Sequence, residues 1–391
     1  MNLVFFAHAD FLKHQSMPRF SGMLATGMRA RGYKVETWSP EGRFVRMPGT
    51  KFMKKWLGYI DQFILFPMTV RRRIKRCSPD TLFVFTDNAL GPWVPLVSDR
   101  PHVIHCHDFL AQRSALGEIP ENPTGFAGQL YQKYIRRGYS QGKHFISGSQ
   151  NTKKDLRLFL PGDPLSSDVV YNGMNQPFVV QEAGNARRVL SKEFGLDLKS
   201  GYLLHVGGNA FYKNRLGVIE IFNAWRSTSN HQLPLLLIGE KPSTSLLQAY
   251  DVSPFKKDIH FLSGVNDENV RLAYSGATVF IFPSLAEGFG WPIAEAMAAG
   301  CPVITTNEAP MTEVAGDAGF LIPIRPRDNV KALAWANEAA KTVNKIVELS
   351  EDDRKKIIEL GLLNANRFDT NVALDRIEEI YKTIIKTSKG K

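Results

Sequence analysis

The fold of this chain is decided by two adjacent stretches, residues 279–284 (VFIFPS) and residues 287–295 (EGFGWPIAE). The first is an apolar run typical of a buried parallel strand. In the second, glycines form a turn and Pro292 suits the first position of a helix, which we predict over 293–299. A strand, a glycine turn and a helix start together expose backbone N–H groups, so this sequence predicts an anion site at the end of a parallel strand.

Two carboxylates, Glu287 and Glu295, bracket the predicted anion site. A phosphate flanked by acids indicates a ligand that carries both phosphate and hydroxyl groups. The same two acids also fit a simpler role, one as a partner of the helix dipole and the other as a surface residue. The flanking residues must decide between these interpretations.

A second turn of the same kind spans residues 207–214 (GGNAFYKN) and contains Lys213. Its glycines would let the backbone approach a diphosphate, and the lysine ammonium would neutralise charge on a departing phosphate. The alternative is an ordinary solvated lysine. Two such turns in one half of the chain favour the phosphate interpretation.

Length and composition indicate a soluble globular protein of two domains. The chain has 391 residues, of which 43% are hydrophobic and 22% charged, and this length exceeds one ordinary core. Its three cysteines lack the paired spacing of a disulfide framework or a zinc site. The sequence begins without a signal-peptide pattern, and no apolar run approaches the ~18 residues of a spanning helix. We therefore expect a cytoplasmic protein.

The net charge of +11 is concentrated in one half of the chain. Residues 1–190 hold 26 Lys and Arg against 14 Asp and Glu, a difference of +12, and residues 191–391 hold 23 against 24, a difference of −1. A basic half and a neutral half indicate two units with different partners.

Strand and helix patterns alternate along the whole chain, which predicts an α/β protein with doubly wound parallel sheets. The predicted strands are 3–7, 34–38, 81–86, 103–106, 144–147, 202–206, 235–238, 260–262, 279–282, 302–305 and 319–322. The predicted helices are 17–31, 56–76, 128–140, 152–160, 216–225, 267–274, 293–299 and 372–386. We predict an N-terminal domain over 1–180, a linker within 175–190 and a C-terminal domain over 181–370. We further expect the helix in 371–391 to pack back on the first domain, and ligands to bind in a cleft between two similar domains.

Many short motifs of the C-terminal half occur in one family in the same order. They are 205–208 (HVGG), 213–214 (KN), 237–239 (LIG), 261–265 (FLSGV), 283–290 (PSLAEGFG), 295–304 (EAMAAGCPVI) and 313–314 (EV). Through these motifs, residues 201–325 resemble the retaining glycosyltransferases of family 4 (glycosyl transferases group 1). The resemblance implies the GT-B fold, in which two Rossmann-like doubly wound domains face each other across a cleft.

The resemblance also implies a role for individual residues of the C-terminal domain. Glu287 would face the hydroxyls of the donor sugar, Glu295 would hold the ribose hydroxyls, and Lys213 would contact the diphosphate. The remaining donor-binding candidates are Gly207, Gly208, Gly239, Ser263, Val265, Gly288, Phe289 and Gly290, with the backbone near Ser263 and Val265 cupping the base.

One position departs from the family pattern. The family often has an arginine directly after the first glycine of the 207–214 turn, and this chain has Gly208 there. Arg215 is a candidate to supply the second positive charge, although its spacing is not that of the family.

The N-terminal half resembles the family more loosely. His107, after the predicted strand 103–106, matches a histidine near the reacting sugar and is a catalytic candidate, since a histidine can donate or accept near neutral pH. The alternative is a structural loop histidine. Acceptor-side candidates are Asp108, Asn172 and Arg19. The glycine pair that the family has after its first strand is missing.

Residues 51–76 concentrate eight basic residues against one acid, with five aromatic residues interleaved. Such a segment can lie on an anionic membrane surface near a lipid-linked acceptor. An ordinary amphipathic helix with a basic end explains it nearly as well. Aromatic residues among basic ones also suggest nucleic-acid binding, but no other segment supports that, so we expect no nucleic-acid partner.

Several motifs are absent from the sequence. There is no P-loop and no dinucleotide fingerprint. No Asp-x-Asp pair occurs, so we expect a metal-independent enzyme with no required cofactor, in which Lys213 and helix dipoles replace a metal. No nucleophile is placed to form a covalent glycosyl-enzyme, which favours front-face attack with assistance from the leaving diphosphate.

The resemblance and these absences lead to one hypothesis. It is transfer of a hexose, with retention, from a UDP- or GDP-sugar to a hydroxyl of a saccharide or lipid-linked saccharide. Surface-polysaccharide or lipopolysaccharide assembly at the inner face of the cytoplasmic membrane is the expected setting. A nucleotide-sugar epimerase of the same fold and a non-catalytic nucleotide-sugar-binding subunit are the alternatives.

Overall fold

The computed structural model describes residues 2–13, 16–174 and 177–389. It divides into two compact units. Unit 1 comprises Met1–Asn175 with Thr370–Lys391, and unit 2 comprises Gln176–Asp369. The division lies at 175/176, whereas the sequence placed it at 180/181.

Unit 1 is built on a six-stranded sheet whose described ladders are all parallel, in the order β2-β1-β3-β4-β5-β6. Helices or turns connect successive strands, so the carboxyl ends of all strands lie along one edge of the sheet. Its elements are β1 (Asn2–Phe6), α1 (Ser16–Ala30), β2 (Lys34–Trp38), α2 (Lys51–Ile60), α3 (Phe66–Ile74), β3 (Leu82–Phe85), β4 (His102–Cys106), α4 (Leu110–Ala115), α5 (Phe126–Tyr139), β5 (His144–Ser147), α6 (Gln150–Phe159) and β6 (Ser166–Val169), followed after unit 2 by the C-terminal helix Thr370–Lys389.

The helix that the sequence predicted over 56–76 is interrupted. A π-helical turn, Asp61–Leu65, separates α2 from α3. The carboxylate of Asp61 is buried and accepts hydrogen bonds from the backbone N–H groups of Phe44 (3.0 Å) and Val45 (2.9 Å). A π turn adds a residue to the helical repeat, which turns Asp61 inward toward these donors. The backbone stays helical through this turn, from Lys51 to Ile74, so the continuous helix that the sequence predicted is correct apart from its ends and this π turn.

Unit 2 contains a second six-stranded sheet, also parallel in all its described ladders, with the order β12-β11-β10-β7-β8-β9. Its core packs Phe222 and Trp225 of one helix against the apolar residues of the central strands. Its elements are α7 (Ala183–Phe194), β7 (Leu203–Gly207), α8 (Arg215–Thr228), β8 (Leu235–Gly239), α9 (Thr244–Asp251), β9 (Ile259–Ser263), α10 (Asp267–Gly276), β10 (Val279–Phe282), α11 (Trp291–Ala298), β11 (Val303–Thr306), α12 (Met311–Ala315), β12 (Phe320–Ile322), α13 (Asn329–Val347) and α14 (Glu351–Ala365).

The linker predicted within 175–190 is wrong in its second half, because α7 begins at Ala183. The Glu182 carboxylate caps this helix by accepting from the N–H groups of Gly184 (2.7 Å) and Asn185 (2.5 Å). Ala186 and Leu190 are fully buried. Only two buried positions mark the helix, so its polar composition resembles that of a loop.

The C-terminal helix belongs to unit 1, where its Tyr381 hydroxyl lies 2.8 Å from Nε2 of His105 on β4. Both side chains are buried. Burial lowers the pKa of His105 to about 3, with a smaller contribution from His107. His105 is therefore neutral near pH 7 and serves packing, in agreement with its expected place inside a strand.

In the described part of the chain, none of the helices combines the length and the apolarity that crossing a bilayer requires.

Candidate active site

Three adjacent strands of unit 2 end in candidate donor-binding residues. Gly207, Gly239 and Ser263 close β7, β8 and β9, and the sheet register pairs Gly207 with Gly239 and Gly239 with Ser263. Gly239 has φ +148°, and a Cβ there would lie 2.0 Å from the carbonyl oxygen of Gly207. Only glycine fits at this position, so the strands present bare backbone at their carboxyl ends, where open parallel sheets bind ligands.

The 207–214 turn is tied to the loop after β10 by two hydrogen bonds. Asn214, in the left-handed region at φ +49°, caps α8 by accepting from the N–H of Gly217 (3.2 Å). Its side-chain amide also donates to the carbonyl of Pro283 (2.9 Å). The N–H of Leu285 donates to the carbonyl of Tyr212 (2.7 Å). The two glycine turns that the sequence singled out therefore form one connected structure.

Lys213 and Glu287, the two charged candidates of these turns, contact each other. The Lys213 Nζ lies 2.8 Å from Oε1 and 3.0 Å from Oε2 of Glu287. The side chains are 18% and 8% exposed, so this is a nearly buried ion pair. The ammonium also lies 5.2 Å from the ring centroid of Phe282. Breaking such a pair by removing one partner leaves an uncompensated charge in a site of low polarity.

The glycine turn before α11 positions backbone rather than side chains. Gly290 has φ +107° and immediately precedes α11, which starts at Trp291, one residue before the predicted Pro292. The Phe289 side chain is buried against the rings of Trp291 and Phe368, at centroid distances of 5.8 and 5.4 Å. Its ring therefore anchors the turn, and Gly288, Phe289 and Gly290 can offer a ligand only their backbone groups.

Glu295 lies on α11 and accepts a hydrogen bond from the hydroxyl of Tyr274 (3.1 Å). Tyr274 is fully buried on α10. Burial, together with the charge of Glu295, raises the pKa of the Tyr274 phenol well above its usual value. The phenol stays protonated and fixes the orientation of the carboxylate.

Arg215, the first residue of α8, is 5% exposed. Its Nη1 donates to Oδ1 of Asn209 (2.6 Å) and to the carbonyl of Glu240 (2.9 Å). Its Nε and Nη2 make no hydrogen bond to any described residue. Burial lowers the pKa of this guanidinium, and the charge of Glu240 opposes that effect. Two nitrogens of this nearly buried cation, with three N–H groups between them, therefore have no acceptor among the described residues.

Glu240 is a residue of this edge that sequence reasoning missed. Its carboxylate accepts from the backbone N–H of Asn209 (2.9 Å). A Cβ on Gly208 would lie 3.3 Å from the Glu240 carboxyl carbon. An acid therefore stands beside the position where the family often has an arginine. The only sequence signal was its place directly after the strand end at Gly239.

His205, on β7, is a second residue that sequence reasoning did not assign. Its Nδ1 lies 2.9 Å from the carbonyl of Ile281, and its buried Nε2 has no hydrogen-bond partner among the described residues. A Cβ on Gly207 would lie 2.9 Å from that Nε2. Burial lowers the pKa of His205 to about 3, so Nδ1 carries the proton and Nε2 is an acceptor.

The turn after β9 carries the remaining candidates for base binding. Ser263 is exposed and Val265 half-buried, with Gly264 between them at φ +74°. Gly264 turns the chain sharply beyond the strand end, so this segment continues the edge formed by Gly207 and Gly239.

In unit 1, His107 follows β4 and is 8% exposed. Its Nε2 lies 2.9 Å from the carbonyl of Thr86, and its ring packs edge-on against Phe20 at 4.5 Å between centroids. Burial lowers the pKa of His107, although the charge of Asp87 opposes this. Nε2 must be the protonated nitrogen to donate to a carbonyl, so Nδ1 is the acceptor.

The three acceptor-side candidates occupy different positions in unit 1. Asp108 is exposed, and its carboxylate accepts from the N–H of Leu110 (3.0 Å). Asn172 is buried, with its amide nitrogen 2.8 Å from where a Cβ on Gly148 would stand. Arg19 is exposed in the first turns of α1. Asp108 thus lies at the end of β4 beside His107, Asn172 lies beyond the end of β6, and Arg19 lies on a helix.

A hydrogen bond that the sequence did not indicate joins two strand ends of unit 1. Nε2 of His8, after β1, lies 2.8 Å from Oδ2 of Asp87, after β3. Burial acts to raise the pKa of Asp87, but the hydrogen bond and charge of His8 outweigh it, so the pKa lies below its usual value. Asp87 is therefore ionised near neutral pH.

Within the described ranges, no three His, Cys, Asp or Glu side chains are grouped so that they could hold a metal ion.

The two parallel six-stranded sheets with their helices form the GT-B fold. Anabaena HepE in complex with UDP and glucose superposes with a TM-score of 0.71 at 16% identity, covering 98% of this chain and 100% of that chain. A likeness at this identity establishes the fold.

Family models extend the assignment to sequence. Residues 186–360 match the model described as glycosyl transferases group 1, and residues 18–176 match the model described as glycosyltransferase family 4. The chain belongs to this glycosyltransferase family.

Two curated relatives illustrate the range of similarity. O-antigen chain mannosyltransferase B of Escherichia coli is 33% identical over 34% of this chain and 35% of its own length. A phosphatidyl-myo-inositol mannosyltransferase of Mycobacterium leprae is 27% identical over 92% of this chain and 91% of its own length. The chain spans between 35% and 52% of the length of three of the curated relatives that it matches, among them mannosyltransferase B.

Proposed function

We propose that this protein transfers a hexose from a UDP- or GDP-sugar to an acceptor hydroxyl, with retention and without a metal ion. The observation that carries the proposal is the nearly buried Lys213–Glu287 pair at the strand edge of unit 2. At this end of the parallel sheet, the ammonium of Lys213 can bind a phosphate and the carboxylate of Glu287 can accept from sugar hydroxyls. The names of the relatives favour mannose among the hexoses.

Donor binding would exchange the partners of this ion pair. The diphosphate takes the ammonium of Lys213, and the carboxylate of Glu287 turns to a hydroxyl of the sugar. Each charge thereby gains a ligand partner as it loses its protein partner, so neither is left buried and unpaired. This exchange couples diphosphate recognition to sugar recognition at one site.

The other residues of the edge would hold the nucleoside and the diphosphate. Glu295, oriented by Tyr274, would accept from the ribose hydroxyls, and the backbone from Ser263 to Val265 would cup the base. The guanidinium of Arg215, whose Nε and Nη2 have no acceptor among the described residues, would supply the second positive charge that Gly208 cannot.

In the proposed reaction, the bond between the anomeric carbon and the diphosphate oxygen breaks as the acceptor oxygen bonds to that carbon from the same face. The acceptor proton passes to an oxygen of the departing diphosphate. Lys213 stabilises the charge that develops on this leaving group, as fixed cations do in a site shielded from water. His107 would orient the acceptor or a donor hydroxyl through its Nδ1.

For the setting, we propose assembly of an envelope polysaccharide or glycolipid on a saccharide or lipid-linked acceptor. The relatives are named for O-antigen and for phosphatidyl-myo-inositol. The basic, aromatic composition of segment 51–76 in unit 1 supports the proposal that the protein acts at an anionic membrane surface.

The test is a thermal-shift screen against UDP-glucose, UDP-galactose, GDP-mannose and the free nucleotides, since a ligand bound only by the native state raises the melting temperature. We expect one nucleotide sugar to raise the melting temperature of the wild type more than its free nucleotide does. In Glu287→Gln, the nucleotide sugar and its free nucleotide should raise the melting temperature equally. Glu338→Gln is the control, because Glu338 pairs with Lys341 at the exposed surface of α13. No shift from any nucleotide sugar, or an equal loss in both variants, would contradict the proposal.

A further inference from the structure

His205 lies at the carboxyl edge of unit 2 and has no role in the reaction proposed above. It is fully buried on β7, the strand that ends at Gly207. Its Nδ1 donates to the carbonyl of Ile281 (2.9 Å), and its buried Nε2 has no hydrogen-bond partner among the described residues. A buried acceptor without a partner costs free energy. A partner for Nε2 is therefore expected in another state of the site.

The side chain of Lys213 borders the space that this Nε2 faces. A Cβ on Gly207 would stand 2.9 Å from Nε2 of His205 and 3.7 Å from Cδ of Lys213. Because Gly207 has no Cβ, the space between these two atoms is left open. The ammonium lies two bonds beyond Cδ, so rotation at the end of the lysine side chain can carry it toward Nε2.

Phe282 and the electrostatics of the site also place Lys213 close to His205. The rings of His205 and Phe282 lie nearly parallel, 6.2 Å apart between centroids. The ammonium of Lys213 lies 5.2 Å from the centroid of the same Phe282 ring. Burial lowers the pKa of His205, and the positive charges of Arg215 and Lys213 add to this effect. The lysine is therefore near enough to act on the imidazole.

The ammonium of Lys213 has a donor to spare for such a contact. An ammonium carries three N–H groups. The two carboxylate oxygens of Glu287 accept from it at 2.8 and 3.0 Å, and no further acceptor is found among the residues that the structure describes. The proposed exchange of partners turns this ammonium away from Glu287 and toward a diphosphate at the Gly207 turn, which is the side where His205 lies.

Arg215 is the other cation near His205, and it suits this contact less well. Its Nη1 is fixed by the side chain of Asn209 (2.6 Å) and by the carbonyl of Glu240 (2.9 Å). The guanidinium is thus held in place, whereas the ammonium of Lys213 changes its partner in the proposed reaction. Lys213 is therefore the donor that the geometry favours.

We propose that His205 is a positioning residue for Lys213 in the donor-bound state, in which its Nε2 accepts one N–H of the ammonium while the other N–H groups bind the diphosphate. A neutral imidazole has one donor and one acceptor, and the carbonyl of Ile281 holds the donor at Nδ1. The inference rests on the proposed function. It adds a residue that acts on the diphosphate only through the lysine.

Asparagine and glutamine at position 205 separate the roles of the two ring nitrogens. The amide of asparagine reaches the place of Nδ1 and can donate to Ile281, whereas the amide of glutamine reaches the place of Nε2 and can accept from Lys213. The experiment is titration calorimetry of the full chain with UDP and with GDP. We expect His205→Asn to bind the preferred nucleoside diphosphate about tenfold to hundredfold more weakly, the usual weight of a hydrogen bond to a charged group.

His205→Gln should bind this nucleotide more nearly as the wild type does. A purely structural role of His205 predicts the opposite order, because only asparagine keeps the bond to Ile281. Tighter binding by His205→Asn than by His205→Gln would therefore overturn the proposal. His260→Asn and His260→Gln are the matched controls, on the partly buried histidine of the neighbouring strand β9, and they should bind as the wild type does.

A double-variant cycle tests whether His205 acts through Lys213. Lys213→Gln should weaken binding of the nucleoside diphosphate, and adding His205→Asn should weaken it little further, because residues in contact are not additive. Losses that add in full would overturn the proposal.

A spectroscopic measurement needs no change at position 205, so it also decides the matter where His205→Asn does not fold. In protein labelled with ¹⁵N-histidine, the Nε2 resonance of His205 should shift when the nucleoside diphosphate is added, and the same addition to Lys213→Gln should leave it in place. An unshifted resonance in the wild type with bound nucleotide would overturn the proposal.

These outcomes separate the inference from the proposed function. Wild-type protein that binds neither UDP nor GDP, or Lys213→Gln that binds as tightly as the wild type, contradicts the proposed donor site itself. A loss in Lys213→Gln without a loss in His205→Asn contradicts the positioning role alone.

Discussion

At the carboxyl edge of unit 2 the neighbouring strands β7, β8 and β9 end in glycine or serine, whereas at the same edge of unit 1 strands β1, β3 and β4 are followed by His8, Asp87 and His107. In unit 2 backbone is left bare, and the charged groups Lys213 and Glu287 come from turns beyond the strands. In unit 1 buried side chains fill the corresponding space and bond to backbone or to one another.

This difference shows how two parallel six-stranded sheets support two kinds of edge. Glycines such as Gly239 let backbone approach a ligand closely, and a mutual ion pair can be exchanged for contacts with that ligand. Buried histidines held by carbonyls and a carboxylate hold loops in place and offer fewer free groups. The unit 2 edge is therefore the one suited to a charged ligand.

The largest expected effect comes from removing the cation of the unit 2 edge. With Lys213→Gln we expect release of nucleoside diphosphate from the donor during transfer to slow by about 100- to 1000-fold, the usual loss when one fixed group that stabilises developing charge is removed. Steady-state kinetics with the donor identified in the thermal-shift screen measures this.

Lys341→Gln is the matched control, because Lys341 pairs with Glu338 at 72% exposure. A small effect of both variants would remove Lys213 from the mechanism. An equally large effect of both would point to charge or stability instead of the site.

The next largest effect concerns stability at low pH and involves one buried histidine in each unit. Burial lowers the pKa of both His105 and His205 to about 3, from an ordinary value of 6.5. Below pH 6.5 the unfolded chain binds protons that the folded chain does not, so stability present above that pH is lost as pH falls toward 3. Between pH 6.5 and 5 each histidine should cost about 2 kcal/mol.

Urea unfolding at pH 5 and 7, followed for each unit, measures this loss. His105→Gln and His205→Gln should each flatten the pH dependence in their own unit, whatever they do to stability at pH 7. An unchanged pH slope in either variant would show that the other titrating groups dominate.

A smaller effect is expected at the residue that ties the two turns of unit 2 together. Asn214→Ala loses the cap on α8 and the bond to Pro283 and places alanine at φ +49°. We expect about 1–2 kcal/mol of destabilisation. Asn214→Gly should cost less, because glycine accepts this backbone angle.

Chemical denaturation of the two variants tests whether Asn214→Gly is more stable than Asn214→Ala. Greater stability of the alanine variant would show that the left-handed conformation and the cap contribute little.

The smallest effect on donor binding is expected from a change at the edge of unit 1, and it distinguishes the roles of the two sheet edges. His107→Gln should leave the donor-induced rise in melting temperature at its wild-type value, because His107 belongs to unit 1 and the donor-binding candidates belong to unit 2. Transfer to the acceptor should slow. A lost donor shift in this variant would place His107 in donor binding rather than on the acceptor side.

Much of the fold could be predicted because its strands carry local signals. The predicted strands 34–38, 144–147 and 279–282 match β2, β5 and β10 residue for residue. Of these three, β10 is buried along its whole length and has the apolar run typical of a strand covered on both faces. By contrast β6 (Ser166–Val169) was missed, because this polar edge strand is only half-buried and has no apolar pattern.

Part of the candidate site could be predicted as well, because its sequence signals are also local. Glycine turns and the charged residues within them are local features, so Gly207, Lys213 and Glu287 could be singled out in advance. The buried setting of Arg215 and the place of Glu240 beside Gly208 depend on strand β8 and its register. No local pattern carries that information.

The sequence by itself determined the alternation of strands and helices, the two glycine turns and the excess of positive charge in the first half. Each of these follows from neighbouring residues, through periodicity, turn chemistry and composition. Only the tertiary structure decided that Lys213 and Glu287, 74 positions apart, neutralise each other. It also decided that the C-terminal helix buries Tyr381 against His105 in unit 1. Such contacts depend on which strands are neighbours in a sheet, and burial, which gives them their energetic weight, exists only once the whole chain has packed.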